Sequence, residues 1–468
     1  MNLKQLFDAS FAGHRDAVAL EFRGATYTFG DIDSRSNRLA ALLRAKGLAV
    51  GDRLCCYLSN SVEMIDLYLA CVKSGVIFVP INILYRGREI AHILADSTPK
   101  ALVSTPIECD VEVWDPVALS IEAASYPDVR PNVVLDGDSP AGIIYTSGTT
   151  GTAKGAVLTH NNFAVNAMNV ATSWQITSKD RLLLALPLFH VHGLGNGIHA
   201  WLLSGCRVRL LERFDHATAA EEFLDFRPTV FFGVPAMYVR MNDWSSETAR
   251  AIGENARLFV SGSAPLSVQT HQDFYSRFGH TILERYGMSE TLMNIGNPYY
   301  GERRAGTIGF PFPGVSAKIV DGELHLKGSN IFAGYWGREE ATKAVFVDGW
   351  FKTGDIATCS DDGYYTLCGR RSDLIISGGF NIYPREIEEF LEEHAEVAEA
   401  AVVARPDRVR GEVPVAFFAG TADTSSLKAA CRDKLASFKV PRDFIRVDKL
   451  PRNALGKVQK HLLNKPAN

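Results

Sequence analysis

Apolar positions along the first third of the chain switch between two periods. Residues 53–58 form a short apolar run that predicts a strand, and Met64, Leu67 and Cys71 then recur at helical spacing behind Asn60, a residue able to cap a helix. Residues 76–80 return to a continuous apolar run and predict the next strand. This is a βαβ unit, whose crossover makes neighbouring strands parallel. The order recurs downstream, where residues 205–211 and 229–232 read as strands and the polar turn Asp215-His216-Ala217-Thr218 opens a helix between them. Asp321-Gly322, Asp348-Gly349 and Asp362-Gly363 then separate short runs, and Asp-Gly turns join antiparallel strands. A smaller antiparallel subdomain is therefore expected to begin near Gly314 of an otherwise α/β protein.

The texture changes at Arg370. A charged stretch is followed by an apolar run at 374–376, the turn Ser377-Gly378-Gly379 and an acidic helix at 384–394. At 468 residues the chain exceeds what one core usually holds. The expected organisation is a large domain over 1–369, a hinge at 370–373 and a small α+β domain over 374–468.

Composition narrows the function classes. Hydrophobic residues at 46% and charged ones at 22% are ordinary for a soluble globular protein. The net charge of −4, from 49 basic and 53 acidic residues, gives no overall field favouring nucleic acid or an anionic membrane. Residues 1–16 mix Lys4, Asp8, His14, Arg15 and Asp16 among apolar positions, unlike a signal peptide, and runs such as 182–189 are too short to cross a bilayer. The eight cysteines lack a CxxC pair, so a cytoplasmic protein with free thiols is expected.

The chemistry begins at Tyr145-Thr146-Ser147-Gly148-Thr149-Thr150-Gly151-Thr152-Ala153-Lys154-Gly155, directly after the apolar residues 141–144. Glycines that free the backbone, hydroxyls and one ammonium make a loop suited to phosphates. It is not Walker A, because Lys154 stands between Ala153 and Gly155 rather than between Gly and Ser or Thr. Five further segments carry polar groups at turns. Ser261-Gly262-Ser263-Ala264-Pro265 follows an apolar strand, and Glu284-Arg285-Tyr286-Gly287-Met288-Ser289-Glu290 combines a ring, a glycine, a hydroxyl and carboxylates. Thr353-Gly354-Asp355 offers a carboxylate able to accept two hydroxyls, Gly369-Arg370 marks the expected boundary, and Lys457 sits on a loop starting at Pro451-Arg452-Asn453.

These six segments, in this order over nearly the whole chain, resemble the adenylate-forming superfamily of acyl-CoA synthetases, luciferases and peptide-synthetase adenylation domains. The resemblance implies a large N-terminal domain of parallel-rich sheets flanked by helices, a distorted β-barrel subdomain and a small mobile C-terminal domain. It implies ATP, Mg²⁺ and coenzyme A. Thr146 to Lys154 would hold the pyrophosphate end of ATP, with Ser263, Ala264, Pro265 and the segment Glu284 to Ser289 around the nucleotide. Tyr286 would stack on adenine, Asp355 and Arg370 would bind ribose, and Glu290 with Thr149 would coordinate the metal. Lys457 would bridge the acid carboxylate and the α-phosphate. Ser377, Gly378 and Gly379 would face the pantetheine arm of CoA after the small domain turns about the hinge. One departure from the family pattern is Ser372, two residues after Arg370 where Asp or Lys is usual, with Asp373 next.

The acid is read from side chains. The segment Leu186-Pro187-Leu188-Phe189-His190-Val191-His192-Gly193 is similar to the one that brings a histidine to the acid pocket of malonyl-CoA synthetases. His190 is expected at the pocket and His192, on the same extended segment, in the packing. Arg240, Arg303 and Arg304 are the candidate partners of a second carboxylate, and Met288 and Met293 line the pocket. The expected reaction is malonate or methylmalonate to the CoA thioester, with AMP and pyrophosphate released. The alternatives are a short- or medium-chain or aromatic acyl-CoA ligase, or an adenylation domain loading a carrier protein.

Overall fold

The first βαβ unit consists of strand Arg53–Tyr57, helix Val62–Ser74 and strand Ile77–Pro80 in the computed structural model, which describes residues 1–146, 153–377, 380–435, 437–453 and 456–463. The helix is capped one residue later than Asn60. The Ser61 hydroxyl accepts the Met64 N–H at 3.2 Å, whereas the Asn60 amide donates to the carbonyls of Leu186 and Leu211 and accepts the Leu188 N–H at 2.8 Å. Asn60 thus ties down the segment leading to His190.

Two parallel-rich sheets form the bulk of the chain. One has nine strands running from Phe310–Pro311 through Leu283–Met288, Leu258–Ser261, Val230–Gly233, Arg181–Leu184 and Arg207–Leu210 to Val18–Phe22 and Ala25–Thr28. The other has seven, from Gly334–Tyr335 through Lys154–Thr159 and Pro140–Thr146 to Val113–Trp114. Both are packed between helices, and their shared core includes the fully buried Trp174 and Trp201. Buried aromatic side chains of this size contribute roughly 2–3 kcal/mol each by removal from water.

The three Asp-Gly turns join antiparallel strands as expected. Val315–Val320 pairs with Glu323–Gly328, Phe346–Val347 with Trp350–Cys359, and Trp350–Cys359 with Tyr365–Arg370. Asp321 and Asp348 take φ of 50°, followed by Gly322 and Gly349 at 78° and 76°, the left-handed pair that a two-residue hairpin turn requires. These strands make a curled five-stranded sheet. After a short 3₁₀ turn at Arg371–Asp373, a second five-stranded sheet contains Ile375–Ser377, Val397–Asp407 and Gly411–Gly420, covered by helices Pro384–Glu392 and Thr424–Lys434. It has its own apolar core, including Ile387, Val402, Phe418 and Leu427. The expected α/β class, with parallel-rich sheets, a curled sheet and a small α+β portion, is the observed architecture. No helix among the described residues is long and apolar enough to cross a membrane, and the eight cysteines are free thiols.

Candidate active site

Strand Arg181–Leu184 lies between Arg207–Leu210 on one side and Val230–Gly233 on the other. The chain therefore reverses its direction of winding at this strand, and the loops leaving the carboxyl ends of the parallel strands diverge there into a crevice. Three loops and one strand meet at it. His190 and His192 follow the first strand, Tyr238 lies on helix Pro235–Met241 after the next, Ser261 to Ser263 end the third, and Arg285 comes from strand Leu283–Met288. The histidine segment is not extended as its alternation suggested. His190 donates its N–H to the Pro187 carbonyl, and a wide-turned helix begins at His192 and runs to Ile198. Glycine makes this possible at Gly193, where an added Cβ would stand 2.3 Å from the Pro187 carbonyl oxygen. Gly193→Ala is expected to lower the melting temperature and to raise the KM of the acid, by displacing both histidines; calorimetry and kinetics on that variant check it.

The side chains these loops bring together are polar and buried. Arg285 is 2% exposed, and its Nε and Nη2 find no hydrogen-bond partner among the described residues. Its guanidinium packs against Gly262, where a Cβ would lie 2.4 Å from Cζ. Ser261 Oγ and His192 Nε2 are likewise buried and unpartnered, while His192 Nδ1 lies 3.1 Å from Ser263 Oγ. Ser263 holds φ at 71°, a left-handed conformation that is uncommon for a residue with a side chain. Burial, and then the Arg285 charge, push the His190 imidazole down to about 4 and hold His192 well below its ordinary value. Both are neutral at pH 7. Burial depresses Arg285 itself to about 9. A guanidinium keeps its proton at neutral pH, so the depression measures the cost of a buried cation without a counter-ion.

The family resemblance places Arg285 with Glu284 and Tyr286 at the nucleotide. Their strand separates them, because successive side chains point to opposite faces. Tyr286 donates its hydroxyl to Asp355 Oδ2 at 2.6 Å. Glu284 Oε1 accepts the Leu266 N–H at 3.2 Å, and burial pushes its carboxyl up to about 7. Arg285 alone turns towards the histidines.

Of the three arginines expected at a second carboxylate, Arg303 and Arg304 are engaged by other groups. Arg303 donates to the carbonyls of Thr281, Pro298 and Tyr299, and Arg304 pairs with Asp362 at 2.8 Å and with Glu302 at 3.1 Å. Arg240 is exposed on its helix. Met293 is 1% exposed within the main core and Met288 is half-buried, its Sδ 3.8 Å from the Tyr286 hydroxyl. His192, expected as packing, belongs with the polar groups instead.

A second cluster lies where the two large sheets meet. Glu290 is 6% exposed at the turn after Leu283–Met288; its Oε1 accepts the Tyr335 hydroxyl at 3.0 Å and lies 3.5 Å from Thr146 Oγ1. The Lys154 ammonium stands 5.3 Å above the Tyr335 ring. Burial raises the Glu290 pKa, opposed by these hydrogen bonds and by the Arg370 charge. Of the expected phosphate loop, Thr146 and Lys154 are thus brought to Glu290; Ser147, Gly148, Thr149, Thr150 and Gly151 lie outside the described residues, as do Gly378 and Gly379. Both feet of the loop are held by helix Gly87–Ser97: Tyr145 donates its hydroxyl to Asp96 at 2.8 Å, and His92 Nε2 donates to the Ala153 carbonyl at 2.8 Å. Nothing in the spacing of the sequence pointed to Tyr335, Asp96 or His92.

A third group closes the crevice. Asp355, in the middle of Trp350–Cys359 rather than at its end, faces Arg370 across the antiparallel pair, with Nε 2.9 Å from Oδ1. Lys457 approaches this pair from the C-terminal portion. Much of its side chain is exposed, yet partial enclosure of the ammonium and then the Arg370 charge lower its pKa, against Asp355 and Asp373, which raise it. Its loop is tightened by the Lys457 N–H donating to Asn453 Oδ1 at 2.9 Å, and a Cβ on Gly456 would lie 3.5 Å from Ala236 of the large portion. At the hinge Ser372 donates to the neighbouring Asp373 carboxylate at 3.1 Å, and Arg371 pairs with Glu323 at 2.6 Å. Ser377 is buried in the small sheet, its hydroxyl without a partner among the described residues. Ala264 is half-buried and Pro265 exposed beside Ser263, and Ser289 is buried beside Glu290.

Known proteins share this arrangement. The AMP-binding enzyme family matches residues 7–336, and the AMP-binding enzyme C-terminal domain matches residues 386–457. A malonate–CoA ligase of Arabidopsis thaliana is 33% identical, over 99% of this chain and 89% of that protein. The crystal structure of ATP-bound MatB from Rhodopseudomonas palustris superposes with a TM-score of 0.93 at 37% identity, covering 99% of this chain and 98% of that one. The o-succinylbenzoate CoA synthetase of Bacillus subtilis, in complex with its acyl-adenylate intermediate, gives 0.90 at 30% identity, again over 99% and 98%. With the family matched over most of its length and the fold shared throughout, the chain belongs to the AMP-binding, adenylate-forming enzymes and is an ATP-dependent acid–CoA ligase.

Proposed function

We propose that the acid is a small dicarboxylate, malonate or methylmalonate, converted to its CoA thioester with release of AMP and pyrophosphate. The observation that carries this reading is Arg285, a 2% exposed cation with two nitrogens unpartnered among the described residues, set among His190, His192 and Ser261. An isolated buried charge costs several kcal/mol, and a carboxylate bound to it by paired hydrogen bonds removes that cost. A fatty acid has no group for this position. The likeness to a malonate–CoA ligase supports the short dicarboxylate among the acids that fit.

The roles follow from the three clusters. Arg285 holds the distal carboxylate, and the neutral imidazoles of His190 and His192 and the Ser261 hydroxyl can hydrogen-bond to it without adding charge. The reacting carboxylate then points out of the pocket, towards Lys457. Asp355, aligned by Arg370 and Tyr286, accepts the ribose hydroxyls, and the Tyr286 ring packs on adenine. Lys154 and the loop that precedes it take the phosphates. The acid carboxylate displaces pyrophosphate from the α-phosphorus; Lys457, touching both, offsets their repulsion. Glu290 and a threonine hydroxyl would hold Mg²⁺. No three ligating side chains converge among the described residues, and one carboxylate is the donor set of a magnesium ion whose other ligands are phosphate oxygens and water. When bound, the ion withdraws charge from the leaving pyrophosphate. The small domain, 374–468, then turns about the hinge at 370–373 and withdraws Lys457. Ser377 and the two glycines after it then face the CoA thiol, which attacks the acyl carbonyl and displaces AMP.

A panel of acids assayed for CoA-dependent AMP release tests the substrate. Malonate or methylmalonate is expected to have the highest kcat/KM, ahead of succinate, 2-succinylbenzoate, butyrate and ferulate. A monocarboxylate at the head of the series would overturn the dicarboxylate reading and favour the short-chain or aromatic alternative. Transfer to a carrier protein but not to free CoA would identify a loading enzyme.

A further inference from the structure

Tyr335 belongs to none of the segments that pointed to the function, yet it touches two of their key groups at once. Its hydroxyl donates to Glu290 Oε1 at 3.0 Å, and its ring face carries the Lys154 ammonium at 5.3 Å. A phenol is suited to both tasks, since its O–H is a donor to a carboxylate and its π-face attracts a cation. Burial, and then the Glu290 charge, hold the Tyr335 hydroxyl above its ordinary pKa, so it remains a donor.

The main chain of Tyr335 is held at three points, and its ring packs edge-on against Phe332 with centroids 4.9 Å apart. Tyr335 pairs with Ala156 at the edge of the seven-stranded sheet, its N–H is taken by Thr342 Oγ1 at 2.9 Å, and its carbonyl accepts the Arg338 N–H at 3.1 Å. Arg338 in turn donates to Asp96 Oδ1 at 2.7 Å, the carboxylate whose other oxygen accepts the Tyr145 hydroxyl at 2.8 Å. The strand entering the phosphate loop and the turn carrying Tyr335 are thereby locked to one carboxylate. The edge strand Gly334–Tyr335, which contributes little to the sheet, has a reason to exist in this geometry.

We propose that Tyr335 is a positioning residue for adenylation, orienting the Glu290 carboxylate through its hydroxyl and parking the Lys154 ammonium on its ring, so that metal and phosphate meet a preorganised pair. This rests on the reading of Glu290 as the metal-binding carboxylate. Tyr335→Phe removes the hydroxyl and keeps the ring; Tyr335→Leu removes both. The probe is α,β-methylene-ATP, which cannot be cleaved at the α-phosphorus. Its binding to the full chain is measured at a series of Mn²⁺ concentrations, beside the Mg²⁺ activation constant and kcat for turnover.

Tyr335→Phe is expected to raise the Mn²⁺ concentration for half-maximal analogue binding, and the Mg²⁺ activation constant, by about tenfold, the loss of one hydrogen bond to a charged group. Its kcat at saturating Mg²⁺ should stay within about twofold and its melting temperature should be unchanged, a split that a merely structural residue would not give. Tyr335→Leu should in addition weaken analogue binding at saturating metal by about threefold to tenfold. Glu290→Gln separates the two layers of the argument. If it leaves the Mn²⁺ requirement unchanged, the metal reading of Glu290 fails. If it raises the requirement while Tyr335→Phe does not, the positioning role is overturned and the metal reading stands. If Tyr335→Leu binds the analogue as Tyr335→Phe does, the contact with Lys154 has no function.

Discussion

Lys457→Ala is expected to lower malonate-dependent exchange of pyrophosphate into ATP by about 10²–10³-fold, the loss seen when one preorganised donor to a developing charge is removed. ATP binding should change little, because the variant leaves Asp355, Arg370 and the Lys154 cluster intact. Thioester formation from supplied malonyl-adenylate and CoA should also persist, since Lys457 is withdrawn before the thiol attacks. The position of the side chain motivates this division. Lys457 lies in the combined field of Arg370, Asp355 and Asp373 on a loop braced by Asn453 and set against Ala236, so the small domain presents it at the ribose end of the crevice. Arg370 and partial enclosure oppose its charge there, while the two carboxylates support it. A bound triphosphate would tip that balance to the charged form. Unchanged exchange activity in the variant would remove Lys457 from the adenylation step.

Arg285→Gln carries the second large effect. The kcat/KM for malonate should fall by about 10²–10³-fold, equivalent to about 3–4 kcal/mol, as expected when one member of a buried charge pair is deleted. Propionate and butyrate, which have no second carboxylate, should be little affected, so the preference for malonate collapses. The free enzyme should at the same time become more stable, with a higher melting temperature, because a buried cation lacking partners has been replaced by a neutral amide. Loss of substrate binding coupled to a gain in stability distinguishes a binding cation from a structural one. An unchanged KM for malonate would sink the dicarboxylate reading.

Much of this protein was legible along its sequence because local physics decides it. The βαβ unit at Arg53–Tyr57, Val62–Ser74 and Ile77–Pro80 follows from apolar period, and the three hairpins from Asp-Gly pairs, two of which take left-handed φ at both residues. The motif order identified the family without any contact being known. Tyr286, Asp355 and Arg370, far apart in sequence, do come together, at 2.6 and 2.9 Å.

The acid pocket was not legible, for a geometric reason. Arg303 and Arg304 stand near other candidate residues in sequence, but Arg303 is held by three main-chain carbonyls and Arg304 by Asp362 and Glu302. Arg285, the arginine proposed for the acid, sits between two residues of the nucleotide segment and is separated from them by strand alternation, a signal available in the sequence once the segment is read as a strand. Tyr335 offered no such signal, since only the packing of one sheet edge against the Glu290 turn places its hydroxyl.

By itself, then, the sequence determined the fold class, the family and the kind of reaction, because periodicity, turn chemistry and the order of short motifs are properties of neighbouring residues. Only the tertiary structure decided which arginine is buried without a partner beside the histidines and which tyrosine holds the Glu290 carboxylate. Burial and the absence of a competing partner make a charge available to a ligand, and those belong to the space around a side chain, not to its place in the chain.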